Sequence, residues 1–194
     1  FRGLIIIVFT LIFGVCLYGA SKVKIDSNLV DLFREGTPLR IAYEIVDTHM
    51  AGTSSMEIMM DFHEEEALSD PIVLQTIDRL QEKVENKYSH LVTRTNSIAD
   101  LVKSMHKTMQ DGDQNFYTIP DDQQTVSQLL YLFNSSAPED RQALVSDDYS
   151  RSHISIQMRN AGSVEYAELL ERMQQDIDAA FSELSIKYKK QQIT

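Results

Sequence analysis

The segment that most constrains this chain is the apolar run at residues 3–21, GLIIIVFTLIFGVCLYGAS, which contains no charged residue. Wound as an α-helix at about 1.5 Å per residue, it extends about 28 Å, close to the ~30 Å hydrocarbon core of a bilayer. The Thr10 hydroxyl can donate to a backbone carbonyl one turn earlier, so that it needs no partner in lipid. The sequence therefore predicts a transmembrane helix over residues 1–21, with the membrane lipid bilayer as its partner.

Two other interpretations of this run stay open. A secretory signal peptide has a shorter apolar region and a small-x-small cleavage site, whereas cleavage after Ala20 would place Tyr18 at a position that favours a small side chain. A helix in the core of a globular domain would need an unusually large apolar environment on all sides. The length of the run favours the membrane span.

Composition limits the kinds of partner that the rest of the chain can bind. The net charge of -11 and the pI near 4.8 argue against nucleic acid, because binding to phosphates requires a basic surface. The single cysteine, Cys16, lies in the apolar run, so the remainder can form no internal disulfide. About 170 residues follow the run, which suits one domain or two small ones.

The first part of the remainder has the pattern of a β-α-β unit. Residues 55–62 alternate apolar and polar side chains as a strand does, and Asp70-Pro71 is a strong helix start, with Asp70 as the N-cap. Residues 90–96 are rich in β-branched side chains and predict a second strand. We expect a right-handed crossover between two strands that are parallel neighbours or nearly so.

A helical insert at about 97–146 follows, and a strand and a helix follow the insert. Ser97 with Asp100 has capping-box spacing, residues 152–160 alternate as a third strand, and Ser163 precedes a long amphipathic helix. Residues 184–188 alternate weakly and are the candidate fourth strand. The predicted fold class is α+β, with a ferredoxin-like (split βαβ) subdomain at 55–194 and a connector at 22–54 between it and the transmembrane helix.

Ordered sequence blocks along the chain carry a family resemblance. They are IDSNLVDLFREGTPLR, MEIMMDF, DPIVLQTIDRLQEKVEN, VTRTNSIADLVKSMH, DGDQNFYTIPDD, QLLYLFNSS and LVSDDYSRSHISIQMRN. Together with the apolar helix before them, these blocks resemble the resistance-nodulation-division (RND) superfamily of exporters. The resemblance is to the branch that contains the mycobacterial large membrane proteins (MMPL) and the exporters of hopanoids and lipids.

The resemblance implies a function and a location. It implies the porter domain of a cell-membrane transporter, in which ion flux drives the export of hydrophobic or lipid-like cargo. The soluble domain is then extracytoplasmic, although the basic residues after the apolar run, among them Lys22 and Lys24, would place it in the cytoplasm by the positive-inside rule. The partners implied are the cargo, the rest of the transporter chain, and further copies in a dimer or trimer. The alternative is a single-pass anchored extracytoplasmic domain that binds or scaffolds without transport.

Candidate site residues are few. Phe116, Tyr117 and Ile119 lie on the loop after Gly112 and are the predicted cargo path. A soft-metal site built from methionines and histidines at 49–63 (His49, Met50, Met56, Met59, Met60 and His63) is disfavoured, because alternate side chains of a strand face apart. No arrangement of serine, cysteine and histidine indicates a nucleophile, so we expect neither an enzyme nor a cofactor or metal.

Overall fold

The computed structural model describes residues 2–22, 28, 30, 33–136 and 138–191, without the side chains of 4, 21, 138, 140, 183 and 186–191. These residues form seven α-helices and three strands. In chain order they are α1 (Arg2–Ser21), α2 (Pro38–His49), β1 (Ser54–Asp61), α3 (Pro71–Lys87), β2 (Val92–Asn96), α4 (Ile98–Met109), α5 (Gln123–Ser136), α6 (Pro138–Leu144), β3 (Arg151–Met158) and α7 (Ser163–Gln191).

The three strands form one antiparallel sheet in the order β1-β3-β2. The pairing of β1 with β3 runs without a break from Ser54 opposite Met158 to Asp61 opposite Arg151. Gly52 just before β1 adopts φ +95°, and a Cβ there would lie 2.1 Å from the carbonyl oxygen of Met158. A side chain at this position would therefore collide with the end of β3, so the entry into the sheet requires glycine.

One face of the sheet is buried by helices. The apolar stripe of α3 is fully buried, and it meets Ile154 and Ile156 of β3 in the core. α4 and α7 complete the layer through buried residues such as Val102 and Met173. Alternate residues of each strand face this layer, so the core side chains of the sheet follow the two-residue period of the sequence.

The predicted N-caps Asp70 and Ser97 are confirmed, whereas Ser163 is the first residue of α7 and does not precede it. The Asp70 carboxylate accepts a 2.8 Å hydrogen bond from the N–H of Ile72, with Pro71 in the first helical position. Ser97 and Asp100 form a reciprocal capping box at the start of α4. Both caps satisfy N–H groups that the first turn of a helix leaves without a partner.

The predicted transmembrane helix is corrected. The apolar run does form α1, but within the ranges given above no helix is both long enough and apolar enough to cross a membrane. The α2 helix lies in the predicted connector at 22–54, of which residues 23–27, 29, 31 and 32 are outside the described residues.

The ferredoxin-like prediction is also corrected, because the sheet of the described residues has three strands. The candidate fourth strand at 184–188 belongs to α7, which continues to Gln191. Its alternation is too short to override a helix already in progress, since each added helical residue gains a hydrogen bond. β1 and β2 are parallel to each other, as predicted, and are separated by one strand, because β3 pairs with both of them.

Candidate functional site

The loop predicted as the cargo path leaves the end of α4 through a tight reversal. Asp111 and Gly112 both have positive φ, at 56° and 81°. A short 3₁₀ turn follows at Gln114–Phe116, in which the Asp113 carboxylate accepts a 2.9 Å hydrogen bond from the N–H of Asn115. These local bonds turn the chain back along α4.

Side chains of α4 then hold this loop in place. A 2.8 Å hydrogen bond joins His106 Nδ1 and the carbonyl oxygen of Thr118, and Lys107 donates to Gln114 Oε1 at 2.6 Å. The Phe116 ring packs edge-on against the imidazole of His106, with the ring centroids 5.5 Å apart. The loop is therefore fixed at its middle and along its aromatic face.

The Tyr117 ring lies beside a buried cation. Lys103 Nζ is 5.0 Å from the centre of that ring, and it also contacts the carboxylates of Asp78 at 2.5 Å and Asp100 at 3.1 Å. Burial acts to lower the pKa of Lys103, but the hydrogen bonds to Asp78 and Asp100 outweigh it and raise the pKa above its usual value. Lys103 thus stays charged and joins α3, α4 and the loop.

The three predicted residues have different environments. Phe116 and Tyr117 are each 37 % exposed, and the exposed parts of these two rings are the aromatic surface of the loop. Ile119 is 8 % exposed and belongs to the core. The loop can therefore present two aromatic rings to an apolar molecule, and the role of Phe116, Tyr117 and Ile119 in a cargo path remains a prediction.

The outer edge of β1 is a second feature of functional interest. The N–H of Phe62 donates to the carbonyl oxygen of Ser150, which fixes the phase of the strand. Because backbone groups of alternate residues point the same way, those of the odd-numbered residues at 55–61 point away from β3. Their N–H groups have no hydrogen-bond partner among the residues that the structure describes. The outer edge of this eight-residue strand is therefore open to pairing with a further strand.

The outer edge of β2 is closed by contrast. The strand has five residues and an irregular register between Val92 and Arg94. The outward N–H of Thr95 donates to the Glu85 carboxylate of α3 at 2.6 Å, and the Thr95 hydroxyl donates to the same oxygen at 2.7 Å. A carboxylate thus occupies the position that another strand would need.

The sheet face away from the helices is polar and open. Met59 is 72 % exposed on this face, whereas Met60, the next residue, is buried on the helical side. The methionines of β1 therefore do not converge on one point. Among the described residues, no group of three or more histidine, cysteine or acidic side chains is arranged to hold a metal.

A further cluster joins α3 to α7 around Asp176, whose side chain is 10 % exposed. Its carboxylate accepts hydrogen bonds from Lys87 at 2.7 Å and from the Tyr88 hydroxyl at 2.7 Å, and Lys83 lies 3.1 Å away. Burial acts to raise the pKa of Asp176, but the bonds from Lys87, Tyr88 and Lys83 outweigh it and lower the pKa to about 2. The cluster fixes the two helices that back the sheet.

Neither Glu85 nor Asp176 was identified from the sequence as a residue of interest. Glu85 lies ten residues before its partner Thr95, and Asp176 lies 88 residues after Tyr88. No local spacing rule connects such pairs. The one available signal was an acidic residue among the hydrophobic positions of α7, which is typical of a buried partner for a cation.

Comparison with protein-family models, with curated proteins and with solved structures finds no match to this chain. The resemblance to RND exporters therefore depends on the residues of the chain itself.

Proposed function

We propose that the α+β body is an extracytoplasmic porter domain of an RND-type exporter in the cell membrane, of the MMPL and lipid-exporter branch. Its role is to receive hydrophobic or lipid-like cargo outside the cytoplasm while an ion gradient drives export. The observation that carries the proposal is the one-sided sheet, which has helices on one face, a polar open face on the other and an open edge at β1.

A one-sided sheet suits a module that is completed by its neighbours. A porter domain encloses its cargo in a cleft between subdomains, so each subdomain needs a surface on which the next can pack. The open face and the edge of β1 offer such a surface, with backbone groups ready for a further strand. The rest of the transporter chain is the partner proposed for it.

The Phe116 and Tyr117 rings are the proposed contact with cargo. An aromatic side chain offers a large apolar area at a low cost in conformational entropy, and both rings are held by contacts to α4. A fixed aromatic surface can guide an apolar chain without binding it so tightly that release is slow.

An export assay in the complete transporter tests this role. The double variant Phe116→Ser and Tyr117→Ser is expected to lower the export of a fluorescent lipid, because it removes the aromatic surface and leaves the α4 core in place. The matched control is Leu132→Ser with Leu170→Ser, which removes two large exposed apolar side chains elsewhere. Unchanged export of every lipid tested with the Phe116 and Tyr117 variant would exclude this cargo path.

The location is tested with a cysteine label that does not cross membranes. The single native cysteine is replaced in Cys16→Ser, and Met109→Cys introduces a thiol at a position that is 60 % exposed at the end of α4. Labelling of intact cells is expected, because the proposed domain is extracytoplasmic. Labelling only after lysis would contradict that location.

Dissipating the ion gradient separates transport from simple binding. A protonophore, or an ionophore for the coupling ion, should stop lipid export by the complete protein. A domain that binds or scaffolds without transport would retain lipid to the same extent with and without the gradient. This second outcome would replace the exporter by the binding domain.

A further inference from the structure

The α5 helix has a surface composition unlike that of the rest of the chain. Charged residues make up 24 % of the sequence, yet the 14 residues of α5, QQTVSQLLYLFNSS, include none. One face is buried through Val126, Leu129, Leu130 and Phe133. A solvated helix face ordinarily carries charged side chains, so the neutral face of α5 requires another explanation.

The neutral face of α5 lines a cleft of about 610 Å³. Besides Leu130, the residues that it contributes fall at helical spacing and carry amide or hydroxyl groups: Gln124, Ser127, Gln128, Tyr131 and Asn134. Their side-chain groups make no hydrogen bond to any other residue that the structure describes. They are donors and acceptors aimed at the cleft rather than at the protein.

The opposite wall of the cleft is formed by Glu66, Ser69 and Tyr149. The Ser69 hydroxyl donates to Glu66 Oε2 at 3.2 Å, and the Tyr149 hydroxyl donates to the carbonyl oxygen of Leu130 at 3.4 Å. Glu66 adopts φ +61°, a left-handed conformation that turns the chain at this wall. The cleft thus has a tyrosine on each side and one carboxylate.

We infer that this α5 cleft binds a neutral, polyhydroxylated ligand of the size of a mono- or disaccharide. Amides and hydroxyls can both donate to and accept from sugar hydroxyls, and a carboxylate accepts from two at once. Tyrosine rings offer an apolar face to the C–H groups of a sugar ring together with a polar hydroxyl. Among the described residues, no lysine or arginine lines the cleft, which argues against an anionic ligand, and its volume lies within the range of small-molecule sites.

This inference does not depend on the proposed function, since a sugar can bind here whether or not the domain belongs to an exporter. Two sources share the chemistry, namely a free saccharide and the sugar headgroup of a lipid. The single carboxylate and the tyrosine pair favour a saccharide over a neutral peptide, whose backbone would be recognised by an open strand edge instead.

The test is a titration of the full-length chain with maltose, followed by the backbone amide NMR signals of α5 and of the turn at Ala67–Ser69. Shifts confined to these two walls are expected. Tyr131→Ala and Gln128→Ala should each weaken maltose binding, the tyrosine variant about tenfold or more because aromatic anchors dominate such sites. Leu132→Ala, on the same helix but outside the cleft, should bind maltose as the unchanged chain does.

Circular dichroism of each variant shows whether it is folded. If Tyr131→Ala does not fold, Gln128→Ala still tests the cleft, because it changes an exposed helical position. Neutral phosphatidylcholine vesicles with and without a glycosyl diglyceride separate the two sources, because a headgroup site retains the chain only on the glycosylated vesicles. The inference is overturned if maltose shifts no signal of the two walls, if a neutral glycine tripeptide shifts them as strongly, or if the folded variants bind unchanged.

Discussion

The two edges of the sheet differ in how they meet solvent. β2 is short, has an irregular register next to Arg94, and its outward N–H at Thr95 is bonded to Glu85. β1 is longer and pairs regularly with β3 along its whole length, while its outward N–H groups have no partner among the described residues. Short strands, bulges and covering side chains are the usual means by which proteins prevent edge-to-edge pairing. β2 has all three, whereas the outward backbone of β1 has none.

The difference shows that the β2 edge of the sheet is blocked, whereas the β1 edge can pair with a further strand. The helix α3 closes the β2 edge through Glu85 and is itself fastened to α7 through Asp176. Within the described residues, no comparable side chain bonds the outer backbone of β1 beyond its start, where the Asp47 carboxylate accepts from the N–H of Thr53 at 3.2 Å. The comparison predicts that perturbations of β2 change the domain itself, whereas perturbations of the β1 edge change its associations.

The largest effect is expected from Ile156→Ala in the central strand, which supports both edges. Ile156 is fully buried and lies opposite Met56 in β1 and Thr95 in β2. The substitution leaves a cavity and should cost about 2–5 kcal/mol in the free energy of unfolding. Denaturant unfolding measures the loss, and hydrogen exchange should show that amide protection falls in β1 and β2 alike. Loss of protection at one edge only would mean that the strands do not unfold together.

The next largest effect is expected from Glu85→Ala, which opens the closed edge. The N–H of Thr95 then lacks its acceptor while Thr95 itself is only 6 % exposed, and a buried donor without a partner costs about 1–3 kcal/mol. Exchange of the Thr95 amide should accelerate while the amides of β1 stay unchanged. Glu85→Gln is the matched control, because its side-chain oxygen can still accept. Equal losses for the alanine and glutamine variants would show that charge, rather than the edge bond, matters.

Helices and strands that local sequence patterns determine could be predicted from the sequence. The contacts that leave one edge of the sheet open and close the other could not. The alternation of Met56, Ile58 and Met60 gave β1 correctly, and the Asp70 and Ser97 caps gave the starts of α3 and α4. The register of the sheet depends on pairing between β1 and β3 across about 100 residues of chain, which no local pattern specifies. The predictions of a transmembrane helix and of a fourth strand were wrong. No helix of the described residues is long and apolar enough to span a membrane, and residues 184–188 belong to α7.

The candidate site likewise has features that local patterns predict and features that only tertiary packing determines. The sequence identified Phe116 and Tyr117 as apolar residues on a loop, because the loop itself was evident from Asp111 and Gly112. Composition could not distinguish the buried Ile119 from its exposed neighbours, since burial depends on tertiary packing and not on residue type. Glu85 was not identified either, because its partner Thr95 lies on a different element and has no sequence signature.

A smaller effect is expected from Asp176→Asn, which loosens the helices behind both edges. Folding lowers the pKa of Asp176 from its ordinary value to about 2, so its stabilising contribution is complete above about pH 4 and is lost as the pH falls from about 4 through 2. Asp176→Asn should lower stability at pH 7 and flatten this part of the pH profile. The loss should be smaller than for Glu85→Ala, because Lys83 and Lys87 are half-exposed and hydrated.

Thermal unfolding between pH 2 and pH 7 measures this prediction. Asp178→Asn is the control, since it removes an exposed carboxylate of the same helix whose one side-chain partner within the described part of the chain is Gln174. An acid-induced loss of stability of equal size in Asp176→Asn and in the unchanged chain would assign the pH dependence to other carboxylates.

The smallest effect on stability, and the sharpest test of the comparison, is expected from Met59→Lys at the open edge. Met59 is 72 % exposed on the open face, so the exchange should alter the free energy of unfolding by less than about 0.5 kcal/mol. A lysine on an edge strand nevertheless opposes pairing with another strand, because its charge would have to be desolvated in the contact. Association of the chain, measured by sedimentation at increasing concentration, should therefore fall. Asn96→Lys adds the same charge on the exposed side of β2, where Glu85 already blocks the edge, and should leave association unchanged. If both lysine variants reduced association equally, net charge would be the cause and the two edges would not differ in the way that their backbones indicate.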